Sequence, residues 1–166
     1  MNMPALHPAN EPLSTLLGTW RGRGEGHYPT IDSFEYFEEV SFGHVGKPFI
    51  AYGQKTRHAT TDLPLHAEQG YFRPTSPGTV ELVLVQPSGI IEIHEGTIAV
   101  IDGSTVITLD SVHVAGSPTA KDVTQVQRVL TITGEGQSGD TMSYDMSMAA
   151  VGLPLQHHLA ATLTRV

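Results

Sequence analysis

Two adjacent histidines, His157 and His158, lie in the apolar C-terminal segment LPLQHHLAATLTRV. Because neighbouring strand residues point to opposite faces, one imidazole would face water and the other the interior. A buried imidazole needs a hydrogen bond, a charge or a metal. One imidazole cannot hold zinc, which takes three or four ligands, whereas a single histidine can hold haem iron because the porphyrin supplies four nitrogens. A purely structural histidine is the alternative.

The other histidines carry less chemical information. In the segment LHAEQGYFRP, His66 could face a cavity beside Leu65. His44, His58 and His94 lie among polar residues, which predicts that they are exposed to solvent. The sequence contains no HExxH motif for zinc and no GxSxG nucleophile motif. These patterns therefore give no support to a zinc enzyme or a serine hydrolase.

A methionine stripe follows one face of the segment TMSYDMSMAAV. Met142, Met146 and Met148 share a strand phase with Tyr144, and serine and aspartate fill the opposite phase. Methionine is adaptable and polarizable, so such a stripe can line a cavity for a flat apolar ligand. Ordinary core packing is the alternative, and the pattern alone favours it.

The glycine-rich segment GTWRGRGEGHYPTI superficially resembles a phosphate-binding loop. Its glycines form GxGxG rather than GxGxxG, and no strand-loop-helix context supports a nucleotide site. Alternating glycines instead predict a first strand that bends sharply at a barrel corner, with Trp20 closing one end. After the glycines, Thr30 and Ile31 could place a hydroxyl and an aliphatic side chain at a cavity mouth, or belong to a simple loop.

Composition excludes several classes of protein. The 166 residues carry a formal net charge of −8 and have no long basic run, which argues against nucleic acid and anionic membranes as partners. There is no cysteine, so disulfides and thiolate sites are absent. The N-terminus has no signal-peptide pattern and no stretch resembles a transmembrane helix, which predicts a cytoplasmic protein. The oligomeric state stays open, with a homodimer through exposed strands as one option.

The elements that must position these residues are mostly strands. Short β-branched and aromatic runs alternate with turn signals such as QPSG and IDGS, and long amphipathic helices are missing. We therefore predict an all-β fold, an antiparallel up-and-down β-barrel of about ten strands with short helical turns. Residues 1–10 are predicted to form a flexible N-terminal tail and residues 11–166 a single barrel domain. A barrel of this size can enclose a ligand cavity.

His158 presents a difficulty of strand phase. It shares a phase with Ala160, Thr162 and Thr164, whereas the apolar Leu159 and its phase partners form the expected inward set. Either His158 precedes the regular strand, or the small residues face inward to make room for a large ligand. We favour the first interpretation.

The chain resembles the nitrobindins, haem-binding β-barrels also described as peroxynitrite isomerases. The likeness rests on LLGTWRGRGEGHYPTIDSFEYFEEVSFGHVGKPFIAYGQKT, on LHAEQGYFRP and on MSMAAVGLPLQHHLAATL, whereas residues 75 to 127 match loosely. The glycine-tryptophan motif together with the C-terminal PLxxHL is a specific combination. The resemblance implies one haem b per chain, with His158 as the proximal iron ligand, and pocket positions at Thr30, Ile31, Leu65, His66 and Met148.

The resemblance also implies a function. Ferric haem would isomerise peroxynitrite to nitrate and bind nitric oxide, so that the protein scavenges or senses reactive nitrogen species. Arg128, a basic residue in a strand-like run, is a candidate partner for the haem propionates. The main alternative is a non-enzymatic, lipocalin-like carrier of a small apolar ligand, and a structural interaction module is a further one.

Overall fold

The computed structural model describes residues 2–166 and shows one short helix followed by ten strands. A 3₁₀ helix spans Pro8–Leu16. The strands are β1 (Gly18–Tyr28), β2 (Ile31–Gly43), β3 (Ile50–His58), β4 (Pro64–Ser76), β5 (Thr79–Val85), β6 (Ile90–Ile101), β7 (Ser104–Gly116), β8 (Val123–Thr133), β9 (Thr141–Ala150) and β10 (Gln156–Arg165).

The ten strands form one closed antiparallel barrel. Each strand pairs with the next along the chain, and β1 pairs with β10 to close the sheet. The predicted all-β, up-and-down barrel of about ten strands with a short helical turn is therefore confirmed. Closure leaves no free sheet edge. The described residues contain no helix of the length and apolarity that crossing a membrane requires.

The 3₁₀ helix closes one end of the barrel. Leu13 and Leu16 are completely buried, and the indole Nε1–H of Trp20 donates to the Leu16 carbonyl at 2.8 Å. The predicted position of Trp20 at a closed end is confirmed. Asn10 is also buried and its amide donates to main-chain carbonyls of the β2–β3 connection. The boundary predicted between residues 10 and 11 thus falls inside the helix.

Two glycines of β1 make room for aromatic rings. β1 is continuous from Gly18 to Tyr28, with a register shift against β2 between Gly26 and Tyr28, and the sharp corner expected from the GxGxG pattern stays a prediction. A Cβ on Gly24 would overlap the ring of Tyr36, and one on Gly26 would overlap the ring of Phe34. Both rings belong to β2 and lie across the inner face of β1. The missing side chains are the physical reason for the glycines.

The direction of each strand determines how deep its inward-facing residues lie along the barrel axis. Even-numbered strands run from the open end towards the helix-closed end, and odd-numbered strands run back. On β2, for example, Phe34 lies near the open end, Tyr36 and Glu38 lie deeper, and Val40 and Phe42 belong to the apolar core. The core fills only the half next to the helix. The other half is therefore available for a cavity.

Candidate functional site

A cavity of about 840 Å³ occupies the open half of the barrel. This volume lies in the upper part of the usual range for small-molecule and cofactor sites. The structure brings all seven residues predicted for the site to its wall: Thr30, Ile31, Leu65, His66, Arg128, Met148 and His158. The sequence-based selection of these residues is thus consistent with one common cavity, although they come from five strands and one turn.

His158 reaches the cavity through a β-bulge. In the β10–β9 ladder His157 pairs with Ser147 and Leu159 pairs with Met146, so His158 is an extra residue without a partner. A bulge of this kind re-aims a side chain and shifts the strand phase by one residue. His158 and Leu159 consequently both line the cavity.

The bulge corrects the sequence interpretation of this segment. We expected His158 to precede the regular strand, but it lies inside β10. The other interpretation, with the small residues turned inward, was also wrong, because Thr162 and Thr164 are exposed. His157 is exposed too, and its Nε2 lies 3.2 Å from an Asp145 carboxylate oxygen on the outer surface.

The imidazole of His158 is held in one orientation. Its Nδ1–H donates to the main-chain carbonyl of His27 at 3.0 Å, which leaves the Nε2 lone pair free. The ring of Tyr28 packs edge-on against it, with centroids 5.2 Å apart. The Tyr28 hydroxyl accepts from the Ala150 N–H at 2.9 Å and so fixes that ring to the end of β9. Burial lowers the pKa of His158 below its usual value, which favours the neutral ligand form.

The wall around His158 is mainly apolar. Ile31, Leu65, Leu159, Met146 and Met148 contribute to it. The methionine stripe of β9 therefore lines a cavity along with Tyr144, rather than serving only as core, which was the interpretation favoured by the pattern alone. An apolar wall excludes water and offers contact area to a flat hydrophobic ligand.

Deeper in the barrel than this apolar wall lie two hydrogen-bonded networks of polar side chains, which we together call the polar belt. Core residues such as Phe42, Phe72 and Met142 also line the cavity. The members of the polar belt are Tyr36, Glu38, Tyr52, Gln54, Glu68, Glu92, His94, Arg128 and Tyr144, and all of them except Arg128 and Tyr144 come from β2, β3, β4 or β6.

One half of the polar belt is an ionic cluster around Arg128. Its guanidinium donates to both Glu68 carboxylate oxygens, at 2.6 and 3.1 Å, and to Glu92 at 2.9 Å. The Tyr52 hydroxyl donates to Glu68 Oε1 at 2.6 Å, and the His66 Nε2 lies 3.4 Å from Glu68 Oε2. Burial opposes ionisation of Glu68, but the Arg128 charge and these donors outweigh it and hold its pKa far below the usual value.

The other half of the polar belt is a network of neutral donors around Glu38. Tyr144 donates to Glu38 Oε2 at 2.7 Å, and the Gln54 amide donates to Oε1 at 3.0 Å. Because the Tyr144 proton is used in this way, Tyr36 donates to the Tyr144 oxygen at 2.7 Å. Burial raises the pKa of Glu38 from 4.5 to about 7, and the hydrogen bonds from Tyr144 and Gln54 only partly oppose it.

Arg128 differs from its predicted role. We expected it to meet haem propionates near solvent, but its guanidinium is buried in the polar belt and its charge is taken by Glu68 and Glu92. It therefore has no free charge to offer a propionate. Lys121, which sequence reasoning missed, lies exposed on the cavity wall in the connection between β7 and β8. It offers a cation on the solvent side of the cavity.

His94 also differs from the sequence prediction. It was expected to be exposed because polar residues flank it, but it is completely buried and its Nε2–H donates to Glu92 at 2.7 Å. It shares an inward phase with Ile90 and Glu92 on β6. His44 and His58 are partly exposed. The alternation IIEIHE was the available signal, since it places Glu92 and His94 on one face.

The donor set fits a haem better than a bare metal ion. Within residues 2–166, no three His, Cys, Asp or Glu side chains are grouped to hold a metal ion. One imidazole nitrogen, Nε2 of His158, faces an apolar cavity, and its orientation is set by a main-chain acceptor as in haem and metal sites generally. A macrocycle that brings its own four nitrogens satisfies this geometry.

The fold and the cavity thus define a closed β-barrel with a large internal cavity and one imidazole in the apolar part of its wall. Residues 9–165 match the family described as "THAP4-like, heme-binding beta-barrel domain". The chain belongs to this haem-binding β-barrel family, which confirms the resemblance to the nitrobindins.

Individual relatives agree with this assignment. A protein of Nocardia farcinica named "Peroxynitrite isomerase" is 53% identical over 161 residues, covering 97% of this chain and 93% of the relative. "Peroxynitrite isomerase 2" of Mycobacterium marinum is 52% identical over 164 residues, covering 98% and 99%. The crystal structure of Rv2717c from M. tuberculosis superposes with a TM-score of 0.91 at 49% identity, covering 98% of this chain and 99% of that one.

Proposed function

We propose that this protein binds one ferric haem b in its cavity, with Nε2 of His158 as the proximal ligand, and isomerises peroxynitrite to nitrate. The single observation that carries the proposal is the arrangement at His158, where a bulge aims one imidazole into an apolar cavity and the His27 carbonyl fixes its tautomer. The names of the curated relatives supply the substrate.

The chain's own residues would position and shield the cofactor. His158 would donate its Nε2 lone pair to the iron. The edge-on contact of the Tyr28 ring would hold the imidazole in its orientation, and the Ala150 N–H fixes the Tyr28 hydroxyl. Leu65, Ile31 and Met148 would cover the porphyrin with apolar surface. Bound ferric haem would supply the Lewis-acidic iron at which the O–O bond of peroxynitrite is broken.

The remaining cavity groups would control access. Thr30 would offer a hydroxyl to a bound anion, and His66 would be held in place by Glu68 at 3.4 Å. Lys121, at the exposed part of the wall, replaces Arg128 as our candidate partner for the propionates. Nitric oxide, a small uncharged ligand, would enter the cavity through the open end of the barrel.

Among residues 2–166, the carrier alternative finds no free cation deep in this barrel. Carriers of fatty acids or related molecules often hold the ligand carboxylate with a buried arginine or tyrosine. Arg128 is already bound to two carboxylates, and the hydroxyls of Tyr52 and Tyr144 donate to Glu68 and Glu38. A carboxylate placed here would meet two buried glutamates instead of a positive charge.

The first test is a haemin titration followed by visible absorption, with His158→Ala and His157→Ala in parallel. The two histidines are adjacent, so His157→Ala is a matched control for the loss of an imidazole. Wild type and His157→Ala should give the same ferric-histidine spectrum, and His158→Ala should lose it. Stopped-flow decay of peroxynitrite with nitrate quantification would then measure turnover in the loaded proteins.

Two results would contradict the proposal at different points. Equal spectra for His158→Ala and wild type would remove His158 as the ligand. Normal haem uptake without faster nitrate formation would leave a haem protein that binds but does not isomerise, which is the sensor alternative. Homodimerisation and the cytoplasmic location stay predictions.

A further inference from the structure

Tyr144 lies on β9, the strand that pairs with the His158 segment of β10. In the β10–β9 ladder the bulged His158 falls between Ser147 and Met146, and Tyr144 lies two to three residues further along β9 towards the core. The backbone offset along the strand is therefore roughly 7–10 Å at about 3.3 Å per strand residue. Both side chains line the same cavity. Tyr144 is thus the belt hydroxyl on the strand next to the proposed proximal ligand.

The hydroxyl of Tyr144 has an unusual pair of partners. It donates to Glu38 Oε2 at 2.7 Å and accepts from Tyr36 at 2.7 Å. Burial, followed by the nearby Glu38 charge, raises the pKa of Tyr144 well above 10, so it is never a phenolate at neutral pH. A neutral tyrosine gives up an electron readily only if its proton moves at the same time to a base in contact with it. Glu38 is that base.

Tyr52 provides an internal comparison. Its hydroxyl also donates to a buried glutamate, Glu68, at 2.6 Å. That carboxylate is doubly bound by Arg128, which makes it a poor proton acceptor. Glu38 has only the neutral donors Tyr144 and Gln54 on its oxygens. The two tyrosines therefore have similar hydrogen bonds but very different bases.

We propose that Tyr144 is the internal one-electron donor of the cavity, that Glu38 receives its proton, and that Tyr144 is the residue of this chain that becomes nitrated. The proposal rests on the proposed function, because homolysis of the peroxynitrite O–O bond is the source of the oxidant, nitrogen dioxide. Nitrogen dioxide that fails to form nitrate takes one electron from Tyr144 and becomes nitrite. The phenolic O–H bond breaks, the proton passes to the Glu38 carboxylate, and a neutral tyrosyl radical is left.

The nitrated product follows from a second nitrogen dioxide molecule. A carbon–nitrogen bond forms at the ring position next to the hydroxyl, and the hydrogen on that carbon leaves as a proton as the ring regains aromaticity. Two molecules of nitrogen dioxide, one from each of two turnovers, are thus consumed for one nitrite and one 3-nitrotyrosine, and the oxidising equivalent that each such turnover leaves at the haem is removed by a one-electron reductant in solution such as ascorbate. Tyr144 would in this way intercept the radical before it leaves the barrel.

The test uses the haem-loaded full chain in a Tyr71→Phe background, because Tyr71 is half exposed and would react with radicals in bulk water. Samples mixed with peroxynitrite are freeze-quenched for electron paramagnetic resonance, with ring-deuterated tyrosine to identify a tyrosyl signal. The same samples are analysed for nitrate, nitrite and the position of 3-nitrotyrosine. We expect both the radical and the nitration at Tyr144.

Three variants separate this role from a structural one. Tyr144→Phe should abolish the radical, and Tyr52→Phe should leave it unchanged. Glu38→Gln keeps a hydrogen-bonding group but removes the base, and should slow radical formation by roughly 10²-fold or more, the usual contribution of a positioned base. A radical that persists in Tyr144→Phe, or nitration of Tyr52 equal to that of Tyr144, would overturn the proposal.

A second arm separates this inference from the proposed function. Nitrogen dioxide is generated by pulse radiolysis of nitrite in the presence of the haem-free chain, so no isomerase activity is needed. Oxidation of Tyr144 in this arm, together with no faster nitrate formation in the loaded protein, would sustain the inference and defeat the function. Normal nitrate formation with no tyrosyl radical in either arm would do the reverse.

Discussion

The two halves of the polar belt shift the pKa of a buried glutamate in opposite directions. Glu38 and Glu68 are each about 4% exposed and face the same cavity. Glu68 contacts Arg128 and has its pKa held far below the usual value, whereas Glu38 contacts neutral donors and has its pKa raised to about 7. Depth of burial is therefore not what decides the charge of a carboxylate here. The chemistry of its nearest donor decides it.

This difference has a functional counterpart. The ionic half, around Arg128, has permanent charges that are fully engaged and suits a rigid support for His66. The neutral half, around Glu38, can accept or release a proton near neutral pH. We therefore assign the positioning of His66 to the half around Arg128 and proton transfer to the half around Glu38.

The largest effect should come from removing the cation of the ionic half. Arg128→Leu leaves two carboxylates, Glu68 and Glu92, buried without a cation, and should cost about 3–5 kcal/mol of unfolding free energy. The matched change in the neutral half, Gln54→Leu, removes one neutral donor from Glu38 and should cost about 1–2 kcal/mol. Urea unfolding at pH 7 measures both.

If Arg128→Leu does not fold, Arg128→Lys keeps one positive charge without the bidentate geometry and should still be less stable than wild type. Equal losses for Arg128→Leu and Gln54→Leu would show that the two halves do not differ in the way described.

The next largest effect is on the pH dependence of the unfolding free energy, to which the two halves contribute with opposite sign. The pKa of Glu38 rises from 4.5 to about 7 on folding, so the folded state holds a proton that the unfolded state has lost. Its contribution to stability is full below pH 4.5 and declines as the pH rises towards 7, by about 3 kcal/mol. Glu68 has a lowered pKa and behaves conversely, losing stability as the pH falls below 4.5.

Glu38→Gln isolates the Glu38 contribution. The variant should equal wild type near pH 4.5 and become progressively more stable than wild type up to pH 8, in urea unfolding at matched ionic strength. The charged and titratable groups that face Glu38 and remain in the variant are Tyr36, Tyr52, Tyr144, Glu68 and Arg128. A difference in unfolding free energy between Glu38→Gln and wild type that does not change with pH would contradict the raised pKa of Glu38.

The smallest effect should distinguish the two tyrosines. Tyr144→Phe leaves the Tyr36 hydroxyl and one Glu38 oxygen without their partner, and should cost about 2 kcal/mol. Tyr52→Phe removes one of several donors to Glu68 and should cost about 1 kcal/mol. Thermal unfolding at pH 7 compares them. A larger loss in Tyr52→Phe would place the weaker network in the Arg128 half.

Strand alternation made much of the fold predictable. Phe34, Tyr36, Val40 and Phe42 share one phase in the sequence, and all face the barrel interior. Glu38 lies in that same phase, so a carboxylate among inward aromatic residues was a visible sign of the polar belt. It was missed because its donors, Gln54 and Tyr144, are remote in sequence and no local pattern links them to it.

Two positions were mispredicted because local context was the only guide. His94 was expected to be exposed because it has polar neighbours, but strand neighbours point to opposite faces and say little about its own burial. Arg128 was expected near solvent, and only the closure of the barrel brings it against Glu68 and Glu92. Both errors concern buried charge, which depends on partners from other strands.

The sequence by itself determined the strand-and-turn pattern, the closed end at Trp20, the acidic cysteine-free composition and the C-terminal motif that contains His158. Only the tertiary structure decided that a β-bulge turns His158 into the cavity, and that the pKa values of Glu38 and Glu68 shift in opposite directions. The physical reason is that side-chain periodicity is a local property of a strand. Ladder register, and the donor that reaches a buried carboxylate, are set by strands that meet only when the barrel closes.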